Sequence, residues 1–168
     1  MEETAGQQGA GAESARVPDQ GALLGLDFGT KRIGIAISTP EQTIACPLEN
    51  YTRRGESADA AHLTALVREH RVVGIVVGLP VHMSGEEGEK ARQARRFGRW
   101  VSRVTGLPVQ FWDERFTSSL ADDLLRQADL TRKKRKARRD KLAAQIMLQS
   151  FLDAGDRQRP PPSFRGLP

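Results

Sequence analysis

The run Leu23-Leu-Gly-Leu-Asp-Phe-Gly-Thr-Lys-Arg-Ile-Gly-Ile-Ala-Ile-Ser38 decides the fold. Leu23 to Phe28 and Arg32 to Ser38 are apolar, β-compatible stretches, and Gly29-Thr30-Lys31 between them reads as the turn of a hairpin. Beyond it, a third strand is expected from Thr43 to Leu48, at a sheet edge because Pro47 lacks an N–H for the ladder. Ser57 opens a helix in which Leu63, Leu66, Val67 and His70 recur at helical spacing. Val72-Val-Gly-Ile-Val-Val77 is apolar throughout and bounded by Gly78-Leu-Pro80, as befits a strand buried on both faces. Ala94, Phe97, Val101 and Val104 form the buried stripe of a helix from about Glu86 to Val104. Arg92, Arg96, Arg99 and Arg103 lie on its solvated side, and the glutamates at its start suit the helix dipole. Val109-Gln-Phe-Trp112 is the last strand and runs into Asp113-Glu-Arg115.

Thr117 or Ser118 then caps a helix carrying Leu120, Leu124 and Leu125. A final helix is expected from Lys141 to Asp153, with Asp140 as its cap and Gly155 beyond its end. A hairpin followed by βαβ units implies a mixed sheet with helices on both faces in one α/β domain. The domain is expected over residues 21–155. Residues 1–20 and the Pro-rich residues 156–168 have the composition of disordered tails.

The 168 residues carry 26 Lys+Arg against 21 Asp+Glu, a formal charge of +5, and a pI near 9.9. The excess sits in one place. Residues 132–141, RKKRKARRDK, hold eight cations and one acid. Their local charge of +7 leaves the rest of the chain at −2. Such a block is expected to be a mobile, polyanion-binding loop. No stretch approaches the roughly 18 apolar residues of a membrane span. The single Cys46 cannot form an internal disulfide, and His62, His70 and His82 lack zinc-ligand spacing. The start of the chain has no basic, apolar leader, so a cytoplasmic location is expected. No dimer interface is evident, and a monomer is expected.

Ligands collect at the carboxyl ends of parallel strands. Asp27 stands near the end of the first strand and Glu114 at the end of the last. Asp140 continues the apolar helical face of Ala144, Met147, Leu148 and Phe151, which turns it toward the sheet. Carboxylates about 4 Å apart repel by roughly 4 kcal/mol at an effective dielectric of 20, so three together call for a cation. Oxygen ligands select Mg²⁺ or Mn²⁺, and two such ions can activate a water and stabilise the leaving oxygen of a phosphodiester. The acids and the basic block thus fit one chemistry, a held and hydrolysed polyanion.

Leu26-Asp-Phe-Gly-Thr-Lys-Arg-Ile-Gly34, Val76-Val-Gly-Leu-Pro80, Met83-Ser-Gly85, Asp113-Glu-Arg-Phe-Thr-Ser118 and Arg132-Lys-Lys-Arg-Lys136 followed by Asp140-Lys-Leu-Ala-Ala144 occur in order over residues 22–155. In these motifs the chain resembles the YqgF (RuvX) family of bacterial RNase H-like nucleases. The resemblance implies a five-stranded mixed sheet of order 3-2-1-4-5 with strand 2 antiparallel. It implies that Asp27, Glu114 and Asp140 are the catalytic, metal-binding acids. It also implies an endonuclease that processes the 5′ end of pre-16S ribosomal RNA, on structured RNA or a ribosomal subunit precursor. Lys31, Arg115, Arg132, Lys133, Lys134, Arg135 and Lys136 are the expected nucleic-acid contacts.

The similar RuvC resolvases, which cut Holliday junctions, use four acids. Asp113 is a poor fourth, because strand alternation turns it away from Glu114. A non-catalytic nucleic-acid-binding factor is a further reading. The Leu26-Asp-Phe-Gly-Thr30 hairpin also resembles the phosphate loop of actin-like ATPases and sugar kinases, but those need two facing domains. With aromatics at 5%, recognition of backbone and shape is expected rather than a platform of stacked bases.

Overall fold

Residues 15–82, 84–114 and 132–157 are described by a computed structural model, with residues 132–141 given as backbone only. The hairpin forms as expected, from β1 (Ala22–Phe28) and β2 (Arg32–Ser38), with Leu24 opposite Ile37 and Phe28 opposite Ile33. β3 (Ala45–Thr52), α1 (Glu56–Glu69), β4 (Val72–Leu79), α2 (Glu89–Thr105), β5 (Val109–Asp113) and α3 (Arg132–Asp153) follow. The sheet order is β3-β2-β1-β4-β5. β2 pairs antiparallel with both neighbours, while β1, β4 and β5 run parallel.

Strand alternation divides the core in two. Leu24 and Leu26 of β1 and Ile75 and Val77 of β4 pack with Leu63 and Leu66 of α1 and with Phe97 and Val101 of α2. Leu23 and Val76 point the other way, to Ala144, Met147, Leu148 and Phe151 of α3. Gly25 lies on this second face. A Cβ there would stand 2.9 Å from the Leu148 Cβ, so the glycine lets α3 settle closely on β1.

Several boundaries differ from expectation, each for a local reason. β3 starts at Ala45 and reaches Thr52 because its pairing follows the whole of β2, down to Arg32 opposite Thr52. Pro47 does lie on an edge strand, next to a shift of register between Ile35 and Ala36. α2 begins three residues late, since Gly85 has φ +87° and Gly88 is extended as the cap. The chain also packs before residue 21. Val17 is buried against the α3 core, and the Ala15 amide donates to the Val109 carbonyl at 3.0 Å. At the other end, Arg157 donates to the Gln42 side chain at 2.8 Å and to the Leu152 carbonyl at 3.0 Å. Val17 and Arg157, expected in the two tails, are thus held against the domain.

The largest correction is α3. It starts at Arg132, so the basic block is helix and not a loop, and Asp140 sits inside the helix and not at its cap. Lys and Arg are good helix formers, and like-charge pairs one turn apart cost only a few tenths of a kcal/mol each. The apolar face from Ala144 onward anchors the helix that the cations extend. The helix expected after Thr117 lies outside the described residues, as do Met83, Arg115, residues 1–14 and residues 158–168.

Candidate active site

Asp27 is the next-to-last residue of β1, and Glu114 directly follows β5. β4 lies between those two strands. A flat crossing of β4 therefore brings the two acids together, and Gly78 near its end permits it. A Cβ on Gly78 would overlap Glu114 Oε1, so any other residue would displace the carboxyl group. Gly78 follows the Val76 of the α3 face by two residues, which places the acids on the face that α3 covers.

Burial drives the Glu114 carboxyl up to about 9, and the charge of Asp27, their mutual hydrogen bond and the charge of Asp113 add to it. The two carboxyl groups can hydrogen-bond only while one keeps a proton, with Glu114 as the donor. A half-buried pair of acids that must share a proton is an arrangement found at functional sites. Asp113 is itself buried and acts on Glu114 through its charge.

The pair opens into a cavity of about 380 Å³ whose walls include Thr30, Pro80, Lys90 and Gln93. Lys90 and Gln93, from the first turns of α2, were not anticipated, nor was the cradle at Gly78. Their sequence signal is weak, because a lysine and a glutamine on a solvated helix face carry no mark of direction. Lys31 is exposed in the hairpin turn and lines a second hollow that also reaches Asp27. Arg132, Lys133, Lys134, Arg135 and Lys136 form the first turns of α3. Asp140 stands in the same helix, on the stripe of Ala144 and Leu148, with its side chain outside what is described. Among the described residues no third His, Cys, Asp or Glu completes a metal-binding cluster with the pair.

Other charges are satisfied locally. Arg92 and Arg96 bond to Glu89, and Arg95 to Glu87, while Arg99 and Arg103 are exposed, as a solvated helix face requires. Asp59 is a buried acid that the sequence did not reveal. It accepts hydrogen bonds from the Tyr51 hydroxyl at 2.8 Å, Arg53 Nε at 3.1 Å and the Arg54 amide at 2.9 Å. Burial alone would raise its carboxyl, but these donors together hold it below the ordinary value.

The hard oxygens of Asp27 and Glu114, forced into contact and sharing a proton, fit a divalent cation. A mixed sheet with β2 reversed and helices on both faces, with two acids gathered at the carboxyl ends of β1 and β5, defines an α/β domain with an acidic site at its sheet edge. A family profile described as "RuvX: Holliday junction resolvase" matches residues 21–154, and the chain belongs to the RuvX (YqgF) family.

Among its curated relatives is a protein of Cereibacter sphaeroides, 46% identical over 142 residues, which are 84% of this chain and 89% of the relative. One of Rhodobacter capsulatus is 44% identical over 140 residues, 83% and 88% of the two chains. Both are named "Putative pre-16S rRNA nuclease". A Thermus thermophilus RuvC bound to a Holliday junction substrate is 15% identical, with 76% of this chain and 91% of that one covered at a TM-score of 0.49. No helix among the described residues is long and apolar enough to cross a membrane.

Proposed function

We propose that this chain is a metal-dependent endonuclease that hydrolyses phosphodiester bonds in RNA and processes the 5′ end of pre-16S ribosomal RNA. The observation that carries the reading is the Asp27–Glu114 pair, two acids that Gly78 admits into contact and that hold one proton between them. The names of the relatives point to the same substrate.

Asp27, Glu114 and Asp140 are the residues that would hold Mg²⁺ or Mn²⁺. When bound, the metal supplies Lewis-acid charge against the phosphate and makes a water a better nucleophile. The chain's own residues do the rest. Both acids would hold the cation as carboxylates, their shared proton having gone to solvent. Lys90 lends positive charge to one wall of the cavity, and Lys31 and Arg115 bind phosphates of the substrate. The water oxygen bonds to phosphorus and gives up one proton to solvent, the bond to the leaving oxygen breaks, and that oxygen takes up a proton from solvent.

Arg132 to Lys136 guide the strand toward Asp140. In the fold this segment opens helix α3. Six phosphate contacts on a single strand would lose roughly 300-fold in affinity between 50 and 200 mM salt, so the ribosomal subunit precursor is expected to supply further contacts. The protein acts as a monomer in the cytoplasm.

The test is cleavage of a pre-16S 5′-leader RNA with Mg²⁺, run beside a four-way DNA junction. Wild type is expected to cut the leader, and Asp27→Asn to bind it without cutting. Equal cleavage by the two proteins overturns the assignment. Cleavage of the junction alone transfers it to DNA.

A further inference from the structure

We propose that a groove beside the catalytic cavity, built on Phe28, Phe97 and Trp100, is a nucleobase subsite that stacks one unpaired base of the substrate strand. The proposal deepens the nuclease reading and rests on it for the identity of the strand. It also fixes the form of the substrate, a single-stranded segment next to the bond that is cut.

Aromatic residues are scarce in this chain, yet three of them meet here. The Phe28 and Phe97 ring centroids lie 4.8 Å apart, and those of Phe97 and Trp100 5.9 Å apart. Phe97 is buried, whereas Phe28 and Trp100 are half-buried and keep surface for a ligand. The Arg53 guanidinium lies 5.5 Å from the Phe28 centroid and 5.9 Å from that of Phe97. Its ion pair with buried Asp59 at 3.1 Å holds it there, so it is a fixed wall and not a free hand. Together these side chains bound a shallow groove of about 300 Å³.

Two features identify the occupant. First, the groove shares Phe28 and Gln93 with the cavity of Asp27 and Glu114, so a chain lying in one continues into the other. The acids lie on the α3 face of the sheet and the groove on the α2 face, so the strand crosses the carboxyl edge of the sheet between them. Second, the polar groups match a nucleotide. Gln93 offers an amide to a base edge, and Glu56, also in the lining, is an acceptor for an exocyclic amine and repels phosphate. Arg96 is exposed and paired with surface Glu89 at 3.2 Å, an ion pair weak enough to yield to a phosphate. A π-face, a base-edge partner and a phosphate partner lining one groove fit one nucleotide of a single strand. A duplex would bury its bases against each other.

The experiment uses Trp100 as its own reporter. The chain has two tryptophans. Trp112 lies on the other face, edge-on to Phe151 at 5.4 Å. Trp112→Phe therefore leaves Trp100 as the sole emitter. A ten-nucleotide single-stranded RNA of mixed sequence, without metal, is expected to quench Trp100, and the same sequence as a duplex is not. Trp100→Leu is expected to weaken single-strand binding roughly 5- to 100-fold, the range for one lost stack, and Trp100→Phe to keep most of it. A strand that binds without changing Trp100 emission overturns the proposal, and so does full-strength binding by Trp100→Leu. The quench is read on the intact groove, so the outcome does not depend on whether the leucine variant folds. It needs neither metal nor turnover. A protein that quenches but never cleaves refutes the nuclease reading and leaves the subsite, while one that cleaves without quenching does the reverse.

Discussion

The protein withdraws acid from solvent at Asp59 and at the half-buried Asp27–Glu114 pair, and treats it in opposite ways. Asp59, in α1, is fully enclosed and receives three hydrogen bonds, two of them from the groups that follow β3. Its carboxyl is pulled below the ordinary range despite burial. Glu114 is less enclosed, but it hydrogen-bonds to another acid, and burial and that acid push it up to about 9. A fold that supplies three donors to one carboxylate does not lack the means to stabilise the charge of another. The difference separates an acid that serves the structure from a pair that the structure carries for a ligand.

The first way to break this contrast is through activity. Asp27→Asn is expected to lower cleavage of the leader RNA by at least about a thousandfold, a loss typical of removing a member of a catalytic unit. Asp59→Asn, which keeps the shape and most of the hydrogen bonds, is expected to stay within a few-fold of wild type at 25 °C in single-turnover assays. Equal losses in the two variants would dissolve the distinction. Stability should show the reverse order. Asp59→Ala leaves the Tyr51 hydroxyl and Arg53 without their acceptor, and breaking such a pair costs about 3 kcal/mol, the low end of the range because Arg53 is 27% exposed. Urea unfolding with an unchanged m-value reads this directly.

The two sites also differ in how far the sequence disclosed them. Asp27 and Glu114 were legible because each closes a strand whose apolar run is unmistakable, and the ends of parallel strands are where ligands gather. Gly78 was visible only as the end of a strand. Its role as a cradle depends on Glu114 leaning over it, a contact between residues 36 positions apart. Asp59 looked like any acid in the first turn of a helix, because its partners come from the edge strand and the loop after it. Helix α3 departs from expectation for the opposite reason. Charge density pointed to a loop, but helix propensity and the anchor from Ala144 to Phe151 prevailed over repulsion. Local pattern is written in the sequence, whereas the meeting of distant side chains is not.

A third prediction concerns the sign of a smaller effect. Without metal, replacing Asp27 removes the charge that helps force Glu114 to stay protonated, and Asp27→Asn is expected to raise stability by about 1 kcal/mol, in the range for relieving a functional site. Millimolar Mg²⁺ or Mn²⁺ should raise the Tm of wild type and leave that of Asp27→Asn nearly unmoved, because only the intact site binds the ion. Asp59→Asn should lose stability without metal and still gain from the ion as wild type does. Thermal melts of the three proteins with and without the metal settle all of these signs. An Asp27→Asn protein that is less stable without metal, or equally stabilised by it, would mean that the pair is a structural element like Asp59.

The smallest effect sharpens the structural side of the contrast through pH. The folded value of the Asp59 carboxyl lies below its usual 3.8, so the charged form is favoured in the native protein. The stability this contributes is present in full above about 3.8 and is lost as pH falls through the lower, folded value. Asp59→Asn cannot titrate and has no such loss. The stability gap between wild type and Asp59→Asn should therefore be constant from pH 7 to about 5 and narrow below 3.8, where the wild-type side chain becomes as neutral as the amide. Urea midpoints of the two proteins across that interval measure the gap directly, with acid effects common to both cancelling in the difference. A gap that stays the same into acid would mean that the Tyr51, Arg53 and Arg54 donors hold the side chain by shape alone. The charge of Asp59 would then contribute nothing, and the line between an acid kept for the fold and a pair kept for a ligand would have to be drawn from the Asp27–Glu114 side only.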